Sequence, residues 1–173
     1  MRGYFAVGAE GISKPMNLGA ILRTAHAFGA SFAFSVNASH RVRDVYQADT
    51  AKSVSHVPYY EWADIGAMAL PDNCQLVGVE LTDEAVDLPA FRHPLCAAYV
   101  FGRERGSLTE EMQARCQHIV KIPTKFCVNV SVACAITLYD RTLNFGGFPE
   151  RPLMPGGPQT SPDDAEKKFG MHR

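Results

Sequence analysis

Tyr4–Val36 reads YFAVGAEGISKPMNLGAILRTAHAFGASFAFSV, and two changes of periodicity inside it decide the fold class. Tyr4–Gly8 is apolar on nearly every position, which marks a strand buried on both faces. Leu18, Ile21, Leu22, Ala25 and Phe28 then recur at helical spacing. Asn17, after Pro15, is the expected N-cap of that helix, and Gly29 sits just past its end. Ser31–Val36 returns to strand. A strand, a helix and a second strand in this order predict a parallel pair joined by a crossover. At 100° per residue, Gly19, Arg23 and His26 fall on a face away from the apolar stripe, where an arginine one turn beyond a glycine can reach into a cleft.

The same alternation continues outward. Gln75–Leu81, Ala97–Phe101 and His118–Ile122 read as further strands, and Glu61–Leu70 and Thr109–Cys116 as helices. The expectation is one α/β domain over residues 1–145 with a mostly parallel sheet. A last helix, Asn129–Leu143, carries Val130, Val132, Ala133, Cys134, Ile136 and Leu138 on nearly every side. A helix apolar all round must be covered all round, so part of it is expected in a subunit interface. From Gly146 to Arg173 the chain holds five Gly and five Pro and is expected to be an extended or disordered tail.

Composition excludes several classes. The 173 residues are 46% apolar and 20% charged with a formal net charge of −1, so the chain as a whole gives no electrostatic sign of nucleic acid. A basic surface would have to come from Arg41, Arg43 and Lys52, with Arg103 and Arg105 nearer a cleft. No apolar run approaches the roughly 20 residues of a membrane span, and the first residues open directly into a strand rather than a leader. The five cysteines lack zinc or CxxC spacing and read as reduced thiols of a cytoplasmic protein. His26, His40 and His56 show no metal-ligand spacing, and neither a GxGxxG fingerprint nor a P-loop is present.

Three segments concentrate polar groups where chemistry could occur. In Asn17-Leu18-Gly19-Ala20-Ile21-Leu22-Arg23-Thr24-Ala25, an amide and a guanidinium fork share one helix; taken alone, this reads first as a capped surface helix with a solvated arginine. In Tyr99-Val100-Phe101-Gly102-Arg103-Glu104-Arg105-Gly106-Ser107-Leu108, an apolar strand ends in a glycine, at the edge where open α/β sheets bind ligands. Alone, it could be an exposed ion-paired loop. In Ile122-Pro123-Thr124-Lys125-Phe126-Cys127-Val128-Asn129-Val130-Ser131-Val132-Ala133, polar Asn129 and Ser131 open an apolar helix, which by itself needs no more than an Asn cap.

In this order and spacing the three segments resemble the motifs of the SpoU (TrmH-like) family of RNA ribose 2′-O-methyltransferases, part of the SPOUT superfamily. The resemblance covers Phe5–Asn144. It implies a single-domain fold with a C-terminal trefoil knot, a feature otherwise nearly absent from proteins. It also implies a homodimer packed through the first and last helices, and S-adenosyl-L-methionine as cofactor. Gly102, Ile122 and Val128 would line the cofactor pocket, with backbone groups of Glu80 and Cys127 beside them. Arg23 would meet the target phosphate and ribose, oriented with the substrate by Asn17 and Glu104, while Asn129 and Ser131 shape the junction of cofactor and nucleotide. Two positions depart from the family pattern: Ser107 stands where glycine is usual, with the glycine displaced to Gly106, and Cys127 replaces a common serine. If a positive φ is needed in that loop, its path here differs. The implied activity is methylation of a ribose 2′-hydroxyl in transfer RNA, favoured for want of an RNA-binding extension, or in ribosomal RNA. The alternative is a catalytically inactive module of the same fold that binds RNA or adenosylmethionine.

Overall fold

The computed structural model describes residues 3–39, 57–103 and 106–146. The elements run β1 (Tyr4–Glu10), α1 (Pro15–Phe28), β2 (Phe32–Val36), β3 (Tyr59–Trp62), β4 (Gln75–Val79), β5 (Val86–Asp87), β6 (Cys96–Phe101), α2 (Glu110–Arg115), β7 (His118–Lys121) and α3 (Val130–Phe145). The strands form one seven-stranded sheet in the order β3-β2-β1-β6-β4-β7-β5, and every pairing is parallel. The expected tail lies outside the described residues except for Gly146, which caps α3.

Side chains alternate across the sheet, so each central strand feeds two apolar layers. Val7, Val77, Tyr99 and Phe101 meet Leu18, Ile21, Leu22 and Ala25 of α1 and Val130, Ala133, Cys134 and Leu138 of α3. Ala6, Phe34, Leu76, Ala98 and Val100 face the other way, against Ile65, Met68, Leu108 and Met112. This two-sided burial is why the strands read as continuous apolar runs.

The structure departs from two expectations. Glu61–Leu70 is not a helix: Tyr59–Trp62 pairs in parallel with β2 as an edge strand, and the Asp64 carboxylate closes a turn on the Ala67 N–H at 2.8 Å. Strand pairing of an aromatic-rich run, followed by Gly66, outweighs weak helical spacing. Asn17 is not an N-cap either. Lys14 occupies the cap position and Pro15 the first turn, so Asn17 lies inside α1 and is buried. Proline is favoured there because the first-turn N–H has no helical acceptor.

At the amino-terminal end of the strands a buried polar network ties α3 to the sheet. Arg141, 6% exposed, donates to the carbonyls of Pro94 at 2.6 Å and Leu95 at 2.8 Å and to the Tyr99 hydroxyl at 3.1 Å. His93 joins Tyr99 through Nδ1 at 2.6 Å and Asp140 through Nε2 at 2.8 Å. One direction of donation satisfies the whole chain: Arg141 to Tyr99, Tyr99 to a neutral His93, and His93 to Asp140. Burial pushes the His93 pKa below its usual value and raises that of Tyr99 to about 12, which keeps both rings neutral.

Candidate active site

The candidate site lies at the opposite edge of the sheet, where the strands finish. β6 lies between β1 and β4, and Ala9, Phe101 and Val79 stand level across the three. The next residues are therefore Glu10, Gly102 and Glu80, side by side. From Gly102 the chain turns into a loop that returns at Leu108. The Leu108 N–H donates to Glu80 Oε2 at 2.7 Å, and the Leu81 N–H to Glu80 Oε1 at 2.9 Å. The Thr109 N–H and hydroxyl donate to Glu10 Oε2 and Oε1 at 2.9 and 2.6 Å. The loop packs so closely that a Cβ on Gly102 would lie 2.9 Å from Leu108 N. Gly106 has φ 152°, a conformation that side chains rarely adopt, so among the described residues of this loop the positive φ sits at the displaced glycine and Ser107 does without one.

A cleft of about 380 Å³ opens beside this loop, within the roughly 300–1,000 Å³ range of small-molecule sites. Val79, Glu80, Phe101, Gly102, Arg103 and Gly106 form one side. The other is the segment between β7 and α3, contributing Ile122, Thr124, Cys127, Val128, Asn129, Val130 and Ala133. That segment holds its own shape through the Thr124 hydroxyl, which donates to the Phe126 carbonyl at 2.8 Å. Asn129 is the N-cap of α3: its Oδ1 accepts from the Ser131 N–H at 2.9 Å and the Ser131 hydroxyl at 2.6 Å. Its amide nitrogen donates to Asn17 Oδ1 at 3.2 Å, joining the first turns of α1 and α3. An apolar wall with backbone amides and a few fixed polar groups fits a nucleoside carrying a short charged chain.

The structure thus gathers Glu80, Gly102, Ile122, Cys127, Val128 and Asn129 around one cleft. Asn17 and Ser131 stand behind the wall as partners of Asn129 rather than as lining. Arg23 is exposed on α1, on the turn after Gly19, and is not among the residues lining the cleft. Glu104 and Arg105 lie outside the described residues, as do Arg41, Arg43, Lys52, His40 and His56. Arg103 lines the cleft. Among the described residues no group of three His, Cys, Asp or Glu side chains comes together as a metal site, and no helix is long and apolar enough to cross a membrane. Glu10 was missed by the sequence reading, although an acidic residue closing a strand as apolar as β1 is a signal: only a polar partner makes its burial tolerable.

Comparison with known proteins agrees with this geometry. Residues 4–139 match the SpoU rRNA Methylase family. The tRNA (guanosine(18)-2′-O)-methyltransferase of Escherichia coli is 32% identical over 137 residues, covering 76% of this chain and 59% of that enzyme. A 23S rRNA (guanosine-2′-O-)-methyltransferase of Coxiella burnetii is 29% identical over 139 residues, covering 76% of this chain and 55% of its own. The chain therefore spans somewhat more than half the length of these curated relatives. Among solved structures, the SpoU methyltransferase AviRb of Streptomyces viridochromogenes with AdoMet shares the fold at a TM-score of 0.71 and 20% identity, over 86% of this chain and 60% of that one.

Proposed function

The chain belongs to the SpoU rRNA methylase family, and from that premise we propose that it transfers the methyl group of S-adenosylmethionine to a ribose 2′-hydroxyl of RNA. The observation that carries the reading is the cleft at the carboxyl edge of the sheet, on which residues of the second and third sequence motifs converge while Asn17 of the first supports Asn129 from behind. When bound, the cofactor supplies a methyl group already activated on a sulfonium. The protein's share is alignment and removal of a proton. Gly102, Ile122 and Val128 hold the nucleoside, backbone groups of Glu80 and Cys127 stand beside it, and Asn129 with Ser131 shapes the passage toward the RNA. Arg23 meets the phosphate and ribose, and Glu104 orients it with the substrate. A guanidinium with pKa above ~12 is a poor base, so the role given to Arg23 is to hold the nucleotide in line.

The proposal extends to the trefoil knot at the carboxyl end, to a cytoplasmic enzyme and to a homodimer. Val132, Ile136, Tyr139 and Leu143 form an exposed apolar stripe along α3, and Met16 stands exposed at the start of α1; these are the surfaces a second copy would cover. The named relatives act on transfer RNA and on 23S ribosomal RNA, and transfer RNA is the substrate taken first here.

The test is incorporation of tritiated methyl into bulk transfer and ribosomal RNA from a strain lacking the protein. Because Arg23 is exposed, Arg23→Ala should melt within a few degrees of wild type and bind adenosylmethionine normally. Misplacing the 2′-oxygen by about 1 Å should nonetheless cost on the order of 100-fold in rate. Near-normal transfer by Arg23→Ala refutes its role. Cofactor binding by wild type without transfer to any RNA replaces the enzyme with a binding module.

A further inference from the structure

Among the described residues, the loop from Gly102 to Leu108, which carries one side of the cleft, returns to the sheet through two consecutive peptide N–H groups, those of Leu108 and Thr109. Each is taken by a carboxylate, and the two carboxylates come from the strands on either side of β6. Glu80 follows β4 and binds Leu108; Glu10 follows β1 and binds Thr109 through both oxygens. The contacts span 28 and 99 residues, so neither is a local turn. A carboxylate only accepts hydrogen bonds, and all four partners here are donors, so the fit is electrostatic as well as geometric. Glu10 is 4% exposed and is not among the residues lining the cleft.

From this we infer that Glu10 and Glu80 are a paired clamp of positioning residues that fixes the loop at the height at which the cleft accepts its cofactor. The inference rests on the proposed adenosylmethionine site and adds to it a residue, Glu10, that acts only through the loop. Replacing either carboxylate by an amide sets a donor against a donor. At Glu80 both partners are backbone N–H groups, which cannot reverse. At Glu10 one partner is the Thr109 hydroxyl, which can turn to accept, although it already accepts from the Met112 N–H at 3.1 Å. Glu80→Gln should therefore do more harm than Glu10→Gln.

The decisive variant is Glu10→Gln in the full chain, since it cannot alter a direct contact. Titration calorimetry with adenosylhomocysteine should show affinity weakened on the order of 10-fold, the size expected for loss of one charge-assisted bond. The rate of methyl transfer at saturating adenosylmethionine should stay within threefold of wild type. Thr109→Ser, which keeps the hydroxyl, should bind as wild type does, and Thr109→Val should follow Glu10→Gln. Hydrogen exchange should show the Leu108 and Thr109 amides protected in wild type and released in Glu10→Gln. A Glu10→Gln protein that melts earlier but binds adenosylhomocysteine normally overturns the clamp and leaves the function standing. A folded wild type that binds neither adenosylhomocysteine nor adenosylmethionine overturns the function, and the purpose assigned to the clamp falls with it.

Discussion

The two ends of the sheet use buried polar groups in opposite ways. At the amino-terminal end, Arg141, Tyr99, His93 and Asp140 bond to one another and to backbone carbonyls, and the Arg141 guanidinium also lies over the rings of Phe5 and Phe145 at 5.2 and 4.6 Å. Side chains there fasten helix to sheet. At the carboxyl end, Glu10 and Glu80 reach for backbone N–H groups of a loop, and the space beside that loop stays open. The first arrangement makes a joint and the second makes a wall. Satisfied polar networks rigidify whatever they join, so what matters is which element sits at the other end of the bond.

The sharpest way to break this contrast is Arg141→Ala. It leaves two carbonyls and a phenol without their donor in a buried site and removes a stacked cation. Unfolding in urea should show a loss of at least about 3 kcal/mol. The folded fraction should keep its affinity for adenosylhomocysteine; an affinity that falls with the stability would mean the two ends are not separable.

Gly102→Ala probes the other end. Its methyl would press on Leu108 N and on Ser107 C, at 2.9 and 3.1 Å, both backbone atoms that move only with the loop. Overpacking of this kind costs about 1–3 kcal/mol, and here it should appear chiefly as cofactor affinity reduced about tenfold or more, read by calorimetry. A larger drop in melting temperature than in affinity would make the loop a structural joint after all.

The smallest effect is one of pH. Burial holds the folded-state pKa of His93 below the value of the unfolded chain, despite Asp140. Below about pH 6.5 the unfolded state therefore binds more protons, and stability falls as the pH drops toward the folded value, by at most about 1.4 kcal/mol per unit for one proton. Melting curves from pH 7.5 to 5.5 should slope less steeply for His93→Gln than for wild type. Equal slopes would place the acid sensitivity elsewhere.

Much of this was legible because it is periodic. The strands β1, β2, β4, β6 and β7 and the helices α1, α2 and α3 all follow from runs whose spacing fixes what they bury. β5 escaped because two residues, Val86 and Asp87, carry no period, and β3 because Tyr59–Trp62 pairs with β2 across a stretch of 22 residues between the strands. The cleft was legible only through motif resemblance, since Gly102, Ile122 and Val128 are ordinary residues until the fold brings their two segments together. Asn17 was read as a local cap and proves to be a tertiary contact with Asn129, 112 residues away. The clamp and the Arg141 network were hidden for the same reason: each joins positions distant in the chain. A hint existed in α3, where Thr137 and Arg141 continue the buried stripe of Val130, Ala133 and Cys134.

That stripe has a consequence for how the protein is made. The sheet's last strand ends at Lys121, but α3 brings both the floor of the cleft, at Val130 and Ala133, and the guanidinium that completes the opposite end, at Arg141. Sixteen residues of helix, about 24 Å long, are thus the last described piece to leave the ribosome. Until they do, Tyr99 and His93 lack Arg141 and Asp140, and the apolar face of the sheet beside α1 is bare. In a chain of this design one helix completes both the cleft and the buried joint at the opposite end of the sheet.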